Sequence, residues 1–525
     1  MIAPAALALA INAPTLTPRL SHSIVAGEVY DLDSHRVLYA RNAGMLMVPA
    51  STTKLLTEGT SLALLGPDFR WTTPVYRTGS VDAQGTLHGS LVLVASGDPN
   101  LSQRIQPNGA LAFENEDHAY DGSAETKAVP GDPLAVMRDL AAQVAKAGVK
   151  RIAGRVLVDT SLFPDQGAEN GTGVTLSPIV VNDNIVDVTV TPGARQGDPV
   201  SVAVSPQTPY VQFLNKAITG AAKSDATIDM SADIKIDHDA RSGQPPPRLP
   251  VEHHVTITGS QPVGPSVLYA YRVPEPQYFA EAAFTVALQD AGISMVPEQL
   301  LRPISIDYAV FSPGPSLGNP NPTKNYPAGN LVAKHVSPPL SQDVYITLKV
   351  SDNMHAALMP YMWAVYLAHA KGDYLKAGFA LEGAMLSKAG LDLNQASQSD
   401  GYGGAYFTPD FMVRYLAWAR VQPWYSYLLR GLPIMGVDGT LVDIARKSPA
   451  RGKVFAKTGT DGGDNLLNDG STVEKALAGY ITTRGGHHVA FAFFIGAMNG
   501  PHGEDTGPVA GQILGAMAAA TYLNL

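Results

Sequence analysis

The chain contains no cysteine. That excludes disulfides, a thiol nucleophile and thiolate-bound zinc, and a chain without thiols tolerates an oxidising compartment. Charge is scarce too. Only 16 % of residues are charged, 37 basic against 46 acidic, for a net charge of −9. With no basic surplus, nucleic acid is excluded as a partner, because phosphates need a basic face. No apolar run reaches the roughly 18 residues of a membrane-spanning helix. Gly507–Leu525 reads as an ordinary packed helix without the Lys/Arg face of a membrane-surface anchor. Ile2–Ala10 is apolar, but no basic residue precedes it, so it lacks the n-region of an export signal. It reads as the first helix of a mature, processed domain; a cytoplasmic protein is the alternative on targeting signals alone.

What is present is length and apolar content: 525 residues, 45 % hydrophobic, enough for about two to four domains with buried cores. Ile24–Tyr30 and Val37–Tyr39 read as strands around a polar turn. Thr52–Leu65 reads as a helix ended by Gly66-Pro67. From Trp71 to about Leu301 the texture is β-rich, with one amphipathic helix at Pro133–Ala147 and a strand at Val156–Asp159. Ser242–Pro250 and Ser312–Gly329 read as linkers or exposed loops. Helices return at Met354–Lys371, Tyr374–Ala389 and Pro409–Ala419. The strands Lys475–Thr483 and His487–Gly496 and a last helix close the chain.

Three short motifs stand in order: Ser51-Thr52-Thr53-Lys54, Ser351-Asp352-Asn353 and Lys457-Thr458-Gly459-Thr460. Ser-x-x-Lys and Ser-x-Asn alone arise readily by chance and Lys-Thr-Gly-Thr is moderately specific; as an ordered set they supply a serine acyl-transfer site. Ser51 and Lys54 are spaced i, i+3, on one face of a helix. At the helix start the dipole and free N–H groups favour an alkoxide and an oxyanion. Lys54 serves as base only if its pKa falls from ~10.4 toward ~7–8, and Lys457 is the cationic neighbour that lowers it. Since 300 residues separate Ser51 from Ser351, a shared site requires inserted domains between them, because no compact loop is that long.

Rival chemistries are weak. No His-Glu-x-x-His occurs. His253-His254 and His487-His488 are adjacent pairs, whose side chains point to opposite faces of a strand. No Walker pattern accompanies the glycine-rich stretches. No metal and no cofactor is implied.

The blocks around the motifs resemble the D-alanyl-D-alanine carboxypeptidase/endopeptidases of the low-molecular-mass class C penicillin-binding proteins. The resemblance rests on Val48–Thr57, Leu64–Phe69, Gly97-Asp98-Pro99, Val158–Phe163, His335–Leu340 leading into Ser351, Gly436–Leu441 and Ala456–Thr460. It covers nearly the whole chain. It implies an α/β (α+β) fold: a DD-peptidase/β-lactamase-like domain, antiparallel sheet flanked by helices, interrupted by two nested β-rich inserts. The implied division is 1–73 with 328–525 as catalytic domain, 74–100 with 186–327 as one insert, and 101–185 as the second. It implies residence in the periplasm or the outer cell envelope, peptidoglycan stem peptides as substrates and acylation by β-lactams. A β-lactamase or esterase on the same fold, or a non-catalytic cell-wall-binding protein, are the alternatives.

Roles implied by the resemblance follow. Ser51 is the nucleophile and Lys54 its base. Ser351, linked to Lys457, returns a proton to the leaving amine. Asn353 holds the substrate amide. Thr458, Gly459 and Thr460 hold the terminal carboxylate, and the N–H groups of Ser51 and Thr460 form the oxyanion hole. Asp159 binds a free amino group or serves as a turn residue. Where members carry Asp-Gly-Ser-Gly-Leu-Ser-Arg, this chain has Asp400–Tyr406, with Tyr406 in place of the arginine. After Thr460 come Asp461-Gly462 and about nine extra residues, read as a loop beside the site.

Overall fold

The computed structural model describes residues 4–102, 104–236, 251–295, 326–501, 504 and 506–525. Ser242–Pro250 and most of the second expected linker lie outside them. The chain forms two compact units, Met1–Phe69 with Pro339–Leu525, and Arg70–Pro338. All three motifs belong to the first unit, and the second accounts for the long gap between Ser51 and Ser351.

The first unit is built on one antiparallel sheet of five strands. Their order is Arg36–Arg41, Ile24–Asp31, His488–Gly500, Gly470–Thr482 and Val454–Asn465. Val25, Val29, Val473, Leu477, Ile481, Phe491 and Phe493 put one face into a core with Leu514, Met517 and Ala518 of helix Thr506–Asn524. Helix Pro4–Asn12 adds Leu7 and Ile11 to the same core. Alternation along the strands sends their other residues to the opposite face. There Tyr480 Oη donates to Leu416 O of helix Pro409–Arg420.

Helix Lys54–Leu64 is buried on almost every side. It packs against Leu340–Val350 and Asn353–Tyr366. Its Gly59 has a packing cause: a Cβ there would lie 1.9 Å from Tyr415 Oη, which donates to Leu55 O. The ~1 kcal/mol helix cost of glycine is accepted so that this aromatic can approach.

In the second unit, Leu331–Val336, Thr72–Arg77, Leu91–Val94 and Val156–Asp159 form one sheet in that order. Val156–Asp159 lies in the segment expected to be a separate nested insert, yet it pairs in parallel with Leu91–Val94. One apolar core runs from Val75 through Leu140 and Val188 to Phe284 and Ala333. The two expected inserts therefore share a sheet and a core.

Pro276–Asp290 is helical inside the stretch read as β-rich. Its Pro-initiated, alanine-rich sequence suits a helix, and Phe279, Ala283 and Phe284 are buried. Helix Leu340–Val350 and strand Leu331–Val336 also went unread. The segment after Thr460 is no loop. Val454–Asn465 and Gly470–Thr482 stay paired to the tip, so the glycines and aspartates that signalled a turn sit in a long hairpin held by its ladder.

Candidate active site

Ser51 lies in a single tight turn, Ala50–Thr53, that feeds helix Lys54–Leu64. Ala50 just before it has φ +44°, a left-handed conformation unfavourable for a non-glycine residue and typical of functional turns. Ser351 repeats this device. It ends helix Leu340–Val350 with φ +65°, and Asn353 opens the next helix. Asp352 caps that helix by accepting from His355 N at 2.9 Å. Left-handed backbone thus lies immediately before Ser51 and at Ser351 itself.

Lys54 is fully buried, and four groups surround its Nζ. Ser51 Oγ is 2.8 Å away, Ser351 Oγ 3.3 Å, Asn353 Oδ1 2.6 Å and Tyr402 O 3.3 Å. Lys457 Nζ, equally buried, is 2.8 Å from Ser351 Oγ and 3.0 Å from Thr458 O. The three motifs therefore meet, and one hydroxyl, that of Ser351, stands between two amines. Burial first, then the charges of Lys54 and Lys475, hold the Lys457 amine well below the ordinary lysine range.

The third motif sits on the edge strand of the sheet. Thr458 and Thr460 face the side opposite Lys457, because neighbours alternate. Thr458 Oγ1 is 2.8 Å from Thr440 Oγ1 of the Gly436–Leu441 block. In the same block the Asp438 carboxylate accepts from Lys349 Nζ at 2.7 Å and from Ile434 N at 2.8 Å. Gly459 is required by contact: a Cβ would lie 2.2 Å from Pro49 O. Strand and nucleophile turn touch there.

Tyr402 supplies a backbone carbonyl, and Asp400 Oδ1 fixes the turn by accepting from Tyr402 N, Gly403 N and Gly404 N. Tyr406 lies a few residues on, 53 % exposed. Asp159 belongs to the second unit. Its carboxylate is buried and accepts from Tyr326 Oη and from Ser161 N. A buried, multiply bonded carboxylate holds a strand end together.

Sequence reasoning missed Glu58, one turn beyond Lys54. It is fully buried and neither carboxylate oxygen has a hydrogen-bond partner. Burial, then Asp343, raise its pKa well above the usual carboxylate range, against the pull of His355 and Lys54. It is a buried acid behind the site, and the i, i+4 spacing from Lys54 was its only signal. Also unread was a buried cluster in the second unit. Asp117, His118 and Asp183 bring ligand atoms within 4.8 Å of one another. Arg104 donates to both carboxylates there, so a guanidinium already balances their charge.

Among the described residues no helix is long and apolar enough to cross a membrane. Residues 7–304 and 321–517 match the model of the D-Ala-D-Ala carboxypeptidase 3 (S13) family. The D-alanyl-D-alanine carboxypeptidase of Actinomadura sp. (strain R39) is 26 % identical over 94 % of this chain and 81 % of its own length. Penicillin binding protein 4 (dacB) from Haemophilus influenzae has the same fold, with a TM-score of 0.68 at 20 % identity, covering 99 % of this chain and 98 % of that one. Its complex with a β-lactam superposes with a TM-score of 0.66 at 19 % identity and full coverage of both chains.

Proposed function

We infer the chemistry of this chain from its family: it belongs to the D-Ala-D-Ala carboxypeptidase 3 (S13) family and is a serine-type D-Ala-D-Ala carboxypeptidase. We assign the residues as follows. Ser51 Oγ attacks the penultimate D-Ala carbonyl while Lys54 Nζ takes its proton. The N–H groups of Ser51 and Thr460 bind the oxyanion, each such donor being worth ~3–4 kcal/mol. The C–N bond breaks, and the leaving amine takes a proton from the Ser351 hydroxyl, which is resupplied by Lys54 across 3.3 Å. Lys457, 2.8 Å from Ser351 Oγ, orients that hydroxyl. Asn353 fixes Lys54 through its Oδ1 and presents its amide to the substrate. Thr458 and Thr460 receive the terminal carboxylate. Water then cleaves the acyl ester.

The single observation that carries these roles is the Ser351 hydroxyl set between two fully buried lysines. An exposed amine would stay protonated at neutral pH; burial disfavours that charge. The same site suits cross-links whose leaving group is a D-centre amine bearing a carboxylate, an endopeptidase activity. Peptidoglycan stem peptides as substrate place the protein in the periplasm or elsewhere outside the cytoplasmic membrane. The Haemophilus influenzae protein has been seen with a β-lactam, and here Ser51 is the group a β-lactam acylates.

The test is mass spectrometry of purified peptidoglycan digested by the protein and by Ser51→Ala. Loss of terminal D-Ala or of cross-links with the wild type alone is expected. Equal products from both proteins, or none from either, overturn the assignment. Rapid nitrocefin turnover instead marks a β-lactamase on this fold.

A further inference from the structure

Lys475 stands directly opposite Thr460 in the pairing of Gly470–Thr482 with Val454–Asn465. Directly opposed residues share a sheet face, so Lys475 lies on the face that carries Thr458 and Thr460. Its Nζ is 2.5 Å from Thr460 Oγ1. Its stem runs along Gly511 of helix Thr506–Asn524, where an added Cβ would be 3.4 Å from Cε. The residue is half-buried, so the ammonium is held by its neighbours yet open to solvent. The acids next to this pair, Glu474 before Lys475 and Asp461 after Thr460, point away. Asp461 and Glu474 oppose each other on the other face, and Glu474 Oε1 accepts from Ala497 N.

This site therefore has a cation on each face of the sheet, Lys457 on the edge strand and Lys475 on the strand paired with it. Lys457 serves the Ser351 hydroxyl on one side. Lys475 raises the potential at the threonine pair on the other, and its charge is felt at Lys457 as well. A carboxylate seated on Thr458 and Thr460 arrives within reach of an ammonium already fixed at one of those hydroxyls.

We propose that Lys475 is a specificity residue for the leaving group: its ammonium, held on Thr460, pairs with the free carboxylate of the departing D-amino acid. The substrates selected are those whose leaving residue keeps that carboxylate: terminal D-Ala, and cross-links whose diamino acid is un-amidated at the D-centre. Amidated counterparts are disfavoured, because they leave the ammonium facing a neutral group. This rests on the assignment of Ser51 and the threonine pair above.

The test compares one acylated D-Ala-D-Ala peptide with its C-terminal amide, measuring kcat/KM for wild type, Lys475→Met and Lys475→Arg. A charge-assisted contact at a partly open site predicts a fall of roughly tenfold in the acid-to-amide ratio for K475M. The loss falls mainly in KM, and K475R restores most of it. Raising ionic strength erodes the wild-type ratio more than that of K475M. An unchanged ratio in K475M overturns the proposal while Ser51-dependent turnover persists. Absence of Ser51-dependent turnover in the wild type overturns the assignment of the site, and the proposal with it.

Discussion

The Lys457 amine lies 2.8 Å from the Ser351 hydroxyl, which in turn lies 3.3 Å from the Lys54 amine. One oxygen links the two buried bases, so the proton taken from Ser51 has a short path to the leaving amine. Removing that oxygen with Ser351→Ala leaves both lysines in place but breaks the path. Acylation should slow by about 10²–10⁴-fold, the usual share of general acid–base catalysis, while KM changes little. Stopped-flow acylation by a chromogenic β-lactam or ester reads this; a loss confined to KM would assign Ser351 to binding alone.

Gly459 touches Pro49 O, with no room for a Cβ. Gly459→Ala should push the edge strand off the nucleophile turn. A displacement of about 1 Å costs on the order of 10²-fold in rate. The far-UV circular dichroism should be unchanged while kcat/KM falls by that factor. Near-normal activity would show that the strand tolerates the shift.

Two buried acids make stability depend on pH. Burial raises Glu382 and Glu28 from 4.5 to about 7; for Glu28 the Asp410 charge adds to burial. Between pH 4.5 and about 7 the folded state holds protons that the unfolded chain has lost, so stability falls as pH rises through this window. Glu382→Gln keeps an oxygen for Thr60 Oγ1, 2.9 Å from the present carboxylate, and cannot ionise. Its stability relative to wild type should rise by about 3 kcal/mol between pH 4.5 and pH 8, at ~1.4 kcal/mol per unit. Urea unfolding at the two pH values measures the change; a pH-independent difference contradicts it.

Asp159 tests the line between architecture and specificity. Its carboxylate is committed to Tyr326 and Ser161. Asp159→Ala should cost about 1–3 kcal/mol, the price of unpaired buried donors, with KM for peptides carrying a free amino group unchanged. A raised KM without loss of stability would return it to the substrate site.

The chemistry of the site was legible because it depends on residue types at fixed short spacings. Ser51 with Lys54, Ser351 with Asn353, and Lys457 with Thr460 each lie within one local turn or strand segment. The insertion was legible from the long gap alone. What the sequence hid was set by tertiary contact. Gly462, Gly463 and Asp464 read as a loop, but strand pairing overrides their turn propensity. Glu58 and Lys475 carry no motif. Their places follow from helix packing and cross-strand register, which local pattern does not encode. The shared core of the two expected inserts likewise depends on pairing between Leu91–Val94 and Val156–Asp159, which are far apart in sequence.

The most direct test is the intact mass of the protein after brief incubation with benzylpenicillin, followed by peptide mapping. One penicilloyl adduct per chain is expected, on the peptide containing Ser51, and none on Ser51→Ala. An adduct elsewhere, or one that persists in Ser51→Ala, contradicts Ser51 as the nucleophile and the site built around it.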